Sequence, residues 1–288
     1  MGKNTAVFVT DKRQEQLAGY LPGKNIRMDW RRETDKNRMR ETLEQCDRLI
    51  LPTPVSKIEK NADVCKILKE ELIRKPARKR TLFGGAASAE WNRFFKEAEV
   101  TFYDLMRDEE TVRKNACITA EATVAEILKY SSHSIRGQKI IVCGYGRCGR
   151  EIANLLAAMG AKVTVLARSR EARKLARQEG HEAVDFCYAP EEAYGTGIVV
   201  NTVPAQVIRE PFLREMHEDT VVIDIASRPG GTDLMAAEAC GIKVVAALGL
   251  PGKYTTKSSA RVLADTIMRL QPPQERGGEK PWILQIII

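Results

Sequence analysis

The sequence predicts an α/β protein of two domains, each built on a parallel sheet. Two observations carry that prediction. Short apolar runs alternate with amphipathic segments along the chain. One of these runs, Ile140–Cys143, passes directly into Gly144-x-Gly146-x-x-Gly149 and then into a helical pattern.

In the first domain Thr5–Thr10 reads as a strand, Gln14–Tyr20 as a helix and Ile26–Trp30 as a second strand. Residues 36–45 follow as a helix, and Arg48–Leu51 as a strand that ends in Pro52-Thr-Pro-Val-Ser56. A helix over 62–74, a strand Thr81–Phe83, the turn Gly84-Gly85-Ala-Ala-Ser88 and a helix Ala89–Ala98 complete it. Thr119 is a candidate cap for a connecting helix in which Ala120, Val124, Ile127 and Leu128 share one face. That helix should stop at Ser131-Ser-His-Ser134. These boundaries divide the chain into an N-terminal substrate or partner domain (1–117), a second domain (118–254), and a C-terminal helix and tail (255–288) returning to the first. Two linkers would then let the cleft between the domains open by hinging.

The glycines of the second domain have separate mechanical uses. Gly144 allows the tight turn leaving the strand, Gly146 lets backbone approach a pyrophosphate, and Gly149 lets the new helix pack closely on the sheet. Ile152, Leu155, Leu156 and Met159 follow at helical spacing, with Gly160 as a stop. This context predicts a doubly wound Rossmann NAD(P)-binding domain, with Gly144, Tyr145, Gly146, Arg147, Cys148 and Gly149 as cofactor-binding residues. The next strand, Ala161–Ala167, ends in Arg168-Ser169-Arg170, without the Asp or Glu that usually binds the adenosine ribose. Arg168, Ser169 and Arg170 suit a 2′-phosphate, since a guanidinium grips it with paired charged hydrogen bonds. NADP is therefore the expected cofactor and NAD the alternative; a merely solvated loop is the bland reading of the same residues.

Later strands are expected at Ile198–Asn201, Val221–Ala226 and Lys243–Leu248, with a final helix from about Thr256 bearing Ala260, Leu263, Ile267 and Leu270 on one side. Ligands of a doubly wound sheet lie beyond the carboxyl ends of its strands. Those ends hold Asn201, Thr202, Val203, Pro204 and Asp224, taken as cofactor-binding, and the loops of Arg228 and Lys253. From the first domain, residues 10–14, 52–56 and 84–88 should face the same cleft. Lys12, Arg13, Arg228 and Lys253 place four cations at strand ends, and a small dicarboxylate leaving water would need such donors. Arg13, Arg228 and Lys253 are the substrate-binding candidates. None of the three histidines (133, 181, 217) stands where a 2-hydroxy-acid dehydrogenase would need its acid–base group.

Composition sets the remaining bounds. Hydrophobic content of 43% and charged content of 29% are those of a soluble globular chain. No apolar run approaches the roughly 20 residues that span a bilayer, and the N-terminus does not read as a signal peptide. Seven scattered cysteines, with no CxxC pair and no ligand-like grouping with histidine, predict reduced thiols, a cytoplasmic protein and no metal. The net charge of +8 includes the run 74–80, but no aromatics interleave with it, so nucleic acid is not the expected partner. The tail from 271 turns from polar to Trp282-Ile-Leu-Gln-Ile-Ile-Ile288, readable as a docked strand or as a partner contact.

Longer motifs add to this reading. They are Asp11-x-Arg13-Gln14, Tyr103-Asp-Leu-Met106, Asn115-Ala116, Thr119-Ala-Glu121, Asn201-Thr-Val-Pro204, Asp224-Ile-Ala-Ser-x-Pro-Gly-Gly-Thr-Asp233 and Ala247-Leu-Gly-Leu-Pro-Gly-Lys253. With the glycine loop, the set resembles the A subunits of bacterial dipicolinate synthase, the enzyme of spore formers. The chain departs after Lys253, where the family runs Ala-Pro-Lys-Thr-Ala and this sequence has Thr255-Thr-Lys-Ser-Ser259. The resemblance implies a sporulation enzyme of two subunits that oxidises dihydrodipicolinate, or its hydrated precursor, to pyridine-2,6-dicarboxylate. It implies that this chain brings the nicotinamide nucleotide and that a flavoprotein-like B subunit is its partner in an oligomer. Asp11 and Glu121 are then candidate bases. The rival readings are another NADP-dependent two-domain dehydrogenase, resembling shikimate or methylenetetrahydrofolate dehydrogenases, and a non-catalytic nucleotide-binding subunit that regulates its partner.

Overall fold

A computed structural model describes residues 4–29, 35–74 and 80–271. Trp30, positions 75–79 of the basic run and the apolar tail lie outside the described residues.

The first lobe contains β1 (Thr5–Val9), α1 (Lys12–Tyr20), β2 (Asn25–Asp29), α2 (Lys36–Gln45) and β3 (Arg48–Ile50). A 3-10 turn, Val55–Lys60, leads to α3 (Ala62–Arg74), β4 (Thr81–Gly84), α4 (Ala89–Glu97) and β5 (Thr101–Asp104). Its five strands are all parallel, in the order β2-β1-β3-β4-β5. Alternate residues of β1 serve opposite faces: Ala6 and Phe8 join the core under α2, α3 and α4, while Val7 and Val9 join the core under α1.

The second lobe contains β6 (Lys139–Cys143), α6 (Arg147–Ala158), β7 (Lys162–Leu166), α7 (Arg170–Gln178), β8 (Glu182–Val184), α8 (Ala189–Ala193) and β9 (Ile198–Asn201). It continues with α9 (Glu210–Arg214), β10 (Val221–Asp224), α10 (Leu234–Ala239) and β11 (Lys243–Ala246). The six strands are parallel in the order β11-β10-β9-β6-β7-β8, a doubly wound sheet. Ile140 and Val142 enter one core, Ile141 and Cys143 the other.

Two helices join the lobes. α5 spans Glu109–Tyr130 without a break, so the boundary expected at residue 117 falls inside it. Its cap is Asp108, whose carboxylate accepts from the Thr111 amide. Thr119 is not a cap: it lies inside the helix, its hydroxyl donating to the Asn115 carbonyl one turn back, 2.7 Å away. α11 (Thr256–Leu270) packs Ala260, Leu263, Ala264 and Ile267 into the first-lobe core with Val7, Leu17 and Phe83. Each of its large side chains contributes about 1.5–3 kcal/mol through burial. The connectors are tied together where Thr111 Oγ1 meets Thr266 Oγ1 at 2.6 Å and Arg269 donates to both Asp108 oxygens at 2.8 and 2.9 Å.

Candidate active site

Each sheet has one point where the strand order reverses, and there the loops leaving adjacent strands diverge and open a crevice. In the second lobe that point lies between β6 and β9. Gly144 sits at φ +92, where a Cβ would strike Thr202 Oγ1 at 2.6 Å and Val203 Cγ2 at 2.8 Å. A Cβ on Gly149 would collide with the Gly144 carbonyl oxygen, so the helix can begin this close to the strand only with glycine. Gly146 caps α6 and faces open space, leaving the first amides of the helix uncovered. Thr202 holds the second wall, donating from Oγ1 to the Cys143 carbonyl at 2.8 Å and from its amide to the same oxygen at 3.0 Å.

A groove of about 550 Å³ follows this bend, lined by Gly144, Tyr145, Gly146, Ala167, Arg168, Ser169, Ala172, Phe186 and Val203. Arg168 is exposed beside it. Ser169 caps α7, accepting from the Ala172 amide, and also donates to Glu171 at 2.7 Å. Arg170 is the first residue of α7 and is exposed, while Arg147 and Cys148 open α6. Tyr145 is buried, its ring against His181 and its hydroxyl donating to Glu179 at 2.7 Å. Arg150, Tyr145 and Asn154, in that order of influence, hold the Glu179 carboxyl down at about 2.

Asn201 and Asp224 lie beneath this surface. The Asp224 carboxylate accepts from Asn201 Nδ2 (2.9 Å), the Ala226 and Gly231 amides (both 3.0 Å) and Thr232 Oγ1 (2.8 Å). Asn201 also spans the Val203 amide and carbonyl at 3.1 Å each. Both side chains thus spend their polar atoms shaping the Thr202–Pro204 and Arg228–Thr232 loops. Asn201 and Asp224, expected as cofactor-binding residues, thus support these loops from below, and Pro204 is exposed on the first of them.

The first-lobe crevice opens between β1 and β3. Gln14 stitches its floor: Oε1 accepts from the Thr10 amide and hydroxyl, and Nε2 donates to the Leu51 carbonyl. Arg13 is 5% exposed, donates from Nη2 to the Thr53 carbonyl at 3.1 Å, and has a buried Nε without a partner among the described residues. Burial draws its pKa below the ordinary guanidinium value, with Asp11 opposing. Asp11 caps α1, accepting from the Gln14 amide, and accepts from Lys57 Nζ at 2.8 Å. The second lobe closes over it: a Cβ on Gly252 would stand 3.1 Å from Asp11 Oδ2.

The two candidate bases stand in different surroundings. Burial would raise the Asp11 carboxyl, but Arg13, Lys57 and the Gln14 amide together hold it below the ordinary value, as a charged group beside its cations. Glu121 is exposed on α5, on the stripe that carries Lys114 and Leu128. Of the predicted carboxylate binders, Arg13 is in the crevice; Arg228 and Lys253 are exposed on loops after β10 and β11, and Lys12 is exposed on α1. Lys57, absent from the sequence expectation, is the second cation of the crevice. The signal for it is the predicted Pro52–Ser56 loop, which ends one residue earlier.

Comparison with known proteins decides the family. The A subunit of dipicolinate synthase from Bacillus subtilis (strain 168) is 30% identical over 235 residues, covering 79% of this chain and 78% of the relative. The chain belongs to the family of dipicolinate synthase A subunits. Residues 97–232 match the family pattern described as the D-isomer specific 2-hydroxyacid dehydrogenase NAD binding domain, which supports a nicotinamide cofactor. The crystal structure of the dipicolinate synthase A subunit from Bacillus halodurans superposes with a TM-score of 0.74 at 25% identity, covering 94% of this chain and 99% of that one. A transhydrogenase from Sinorhizobium meliloti (TM-score 0.63, 13% identity, 93% and 92% covered) shares the fold. So does Salmonella D-lactate dehydrogenase (0.61, 12%, 93% and 95%). The chain is thus dehydrogenase-like, with a nicotinamide-nucleotide-binding fold. No helix among the described residues is long and apolar enough to cross a membrane.

The second-lobe residues fit a nicotinamide dinucleotide. The open backbone at Gly146, the uncovered amides of α6 and the contiguous groove to Arg168 match a diphosphate followed by an adenosine.

Proposed function

We propose that this chain is the nucleotide-binding subunit of a dipicolinate synthase. It carries the NADP-linked oxidation of dihydrodipicolinate, or of its hydrated precursor after loss of water, to pyridine-2,6-dicarboxylate. The observation that carries the reading is the pairing of two crevices, an amide-lined one for a diphosphate and one in which, among the described residues, Arg13 and Lys57 share the Asp11 carboxylate. When bound, the oxidised nicotinamide supplies the hydride acceptor. One hydride and one proton leave the dihydropyridine, and the product is an aromatic ring, so the step is downhill. The protein's work is then to hold the reacting carbon about 3–3.5 Å from that acceptor. Gly144, Gly146 and Gly149 position the dinucleotide, with Tyr145, Arg147, Cys148, Thr202, Val203 and Pro204 flanking it. Arg168, with Ser169 and Arg170 behind it, supplies the preference for a 2′-phosphate. Arg13 neutralises one substrate carboxylate from below, and Arg228 and Lys253 approach from the second lobe. A flavoprotein-like B subunit is the proposed partner, in a cytoplasmic enzyme of sporulation.

The test is an absorbance assay for pyridine-2,6-dicarboxylate with dihydrodipicolinate and NADP⁺, with and without the B subunit. Product formed with equal yield of NADPH supports the reading. NADPH binding without turnover, even with the partner present, would leave a regulatory nucleotide-binding protein in its place.

A further inference from the structure

Among the described residues, the first-lobe crevice holds more positive than negative charge. Arg13 and Lys57 both face Asp11, at 4.0 and 2.8 Å, so two cations share one carboxylate. Arg13 has five N–H donors, yet it makes one hydrogen bond to a neutral carbonyl and leaves Nε buried and unpaired among the described residues. A buried cation so poorly compensated is costly, and a second anion beside it relieves that cost. Lys57 is the accessible member of the pair, its side chain 26% exposed against 6% for Arg13. It stands on the 3-10 turn after β3, on the far side of the strand-order reversal from Arg13. Gly252 of the second lobe presses on Asp11 from above, so an anion held here lies at the junction of the lobes.

We propose that Lys57 is the specificity-determining group of this crevice, binding a ligand carboxylate that completes the charge balance of the Asp11–Arg13–Lys57 cluster. Asp11 fixes Lys57 in place and, by its own charge, sets a limit on how tightly the ligand is held. This rests on the dipicolinate reading only in taking an aromatic dicarboxylate as the ligand.

The test uses the full chain with its nicotinamide nucleotide. Pyridine-2,6-dicarboxylate and benzene-1,3-dicarboxylate are titrated calorimetrically into the wild type, Lys57→Met and Asp11→Asn. Removing one charge-assisted contact should weaken binding of both probes by about tenfold or more in Lys57→Met. Asp11→Asn, which keeps an oxygen to cap α1, should bind both probes more tightly by several-fold. That gain cannot arise from a damaged fold. NADPH affinity should stay within about twofold in each variant. Unchanged dicarboxylate affinity in Lys57→Met, or weaker binding in Asp11→Asn, overturns the proposal. Lys57-dependent binding of both probes without turnover of dihydrodipicolinate upholds this site while overturning the dipicolinate reading. A wild type that binds neither probe overturns both.

Discussion

Replacing Arg168 by Gln should lower the affinity for NADPH and leave that for NADH almost unchanged. The groove beside the glycine loop runs from Gly146 past Ala167 to Arg168 and Ser169, and the end of β7 carries no carboxylate to meet a ribose hydroxyl. A hydrogen bond to a charged group is worth about 1.5–3 kcal/mol. Arg168 is exposed, so solvent screening places its contribution near the lower bound, about 1.5 kcal/mol, or a factor of roughly ten in Kd. Ser169 adds little to the difference, because its hydroxyl is already engaged by Glu171 and the Ala172 amide. The assay is the fluorescence enhancement of each reduced nucleotide titrated with wild-type and variant protein at two ionic strengths. The tenfold loss should appear for NADPH alone and should shrink at high salt. Equal losses for the two nucleotides, or a wild type that prefers NADH, would refute the argument from the 2′-phosphate.

Two further outcomes follow from the geometry. Gly149→Ala places a methyl group against the Gly144 carbonyl oxygen, so the turn must open; it should cost about 1–3 kcal/mol of stability by denaturant unfolding and weaken nucleotide binding at least tenfold by the same titration. Asp108 is held below its ordinary pKa by hydrogen bonds from Arg269 and from the Thr111 hydroxyl and amide. Its contribution is therefore fully present above the unfolded carboxyl value of about 3.9 and is lost as pH falls through the lower folded value. Asp108→Ala should cost about 1 kcal/mol through the lost helix cap near neutral pH. It should also flatten the acid limb of a plot of melting temperature against pH; an unaltered limb would remove Asp108 from the acid response.

The second lobe is far more legible in the sequence than the first, and the reason is physical. A site for a diphosphate on backbone amides needs open space at Gly146, and the tight strand–helix turn beside it needs glycine at 144 and 149, so three fixed positions record the arrangement directly. The cations of the first lobe leave no such trace. Lys57 reaches Asp11 across 46 positions of sequence, and nothing local distinguishes it from a solvated lysine such as Lys60. Strands β5 and β8 escape the sequence reading because each is a half-exposed edge strand, Thr101-Phe-Tyr-Asp104 and Glu182-Ala-Val184, with no continuous apolar run. Thr119 resembles a cap because an apolar stripe begins just after it; the helix instead starts well before it, at Glu109, where two acidic residues follow the Asp108 cap.

The two crevices obey one rule applied twice. In the first sheet the order reverses between β1 and β3, in the second between β6 and β9, and the diverging loops at each reversal hold the polar groups of interest. The first crevice presents charged side chains, with Gln14 and Asp11 as struts; the second presents backbone amides at its bend, with the side chains of Asn201, Thr202 and Asp224 as struts beneath. The proposed hydride transfer between two bound molecules would use that division, each partner being oriented by its own rigid frame. The meeting point is already marked, since the turn at Gly252 from the second lobe lies against Asp11 of the first. The connecting helices α5 and α11 are pinned to each other through Thr111 and Thr266, so the lobes share one anchored base beside this junction. A Cβ at position 252 would stand 3.1 Å from Asp11 Oδ2, so one of the two would have to shift by some tenths of an ångström, and the glycine of the Leu-Pro-Gly-Lys motif serves lobe contact.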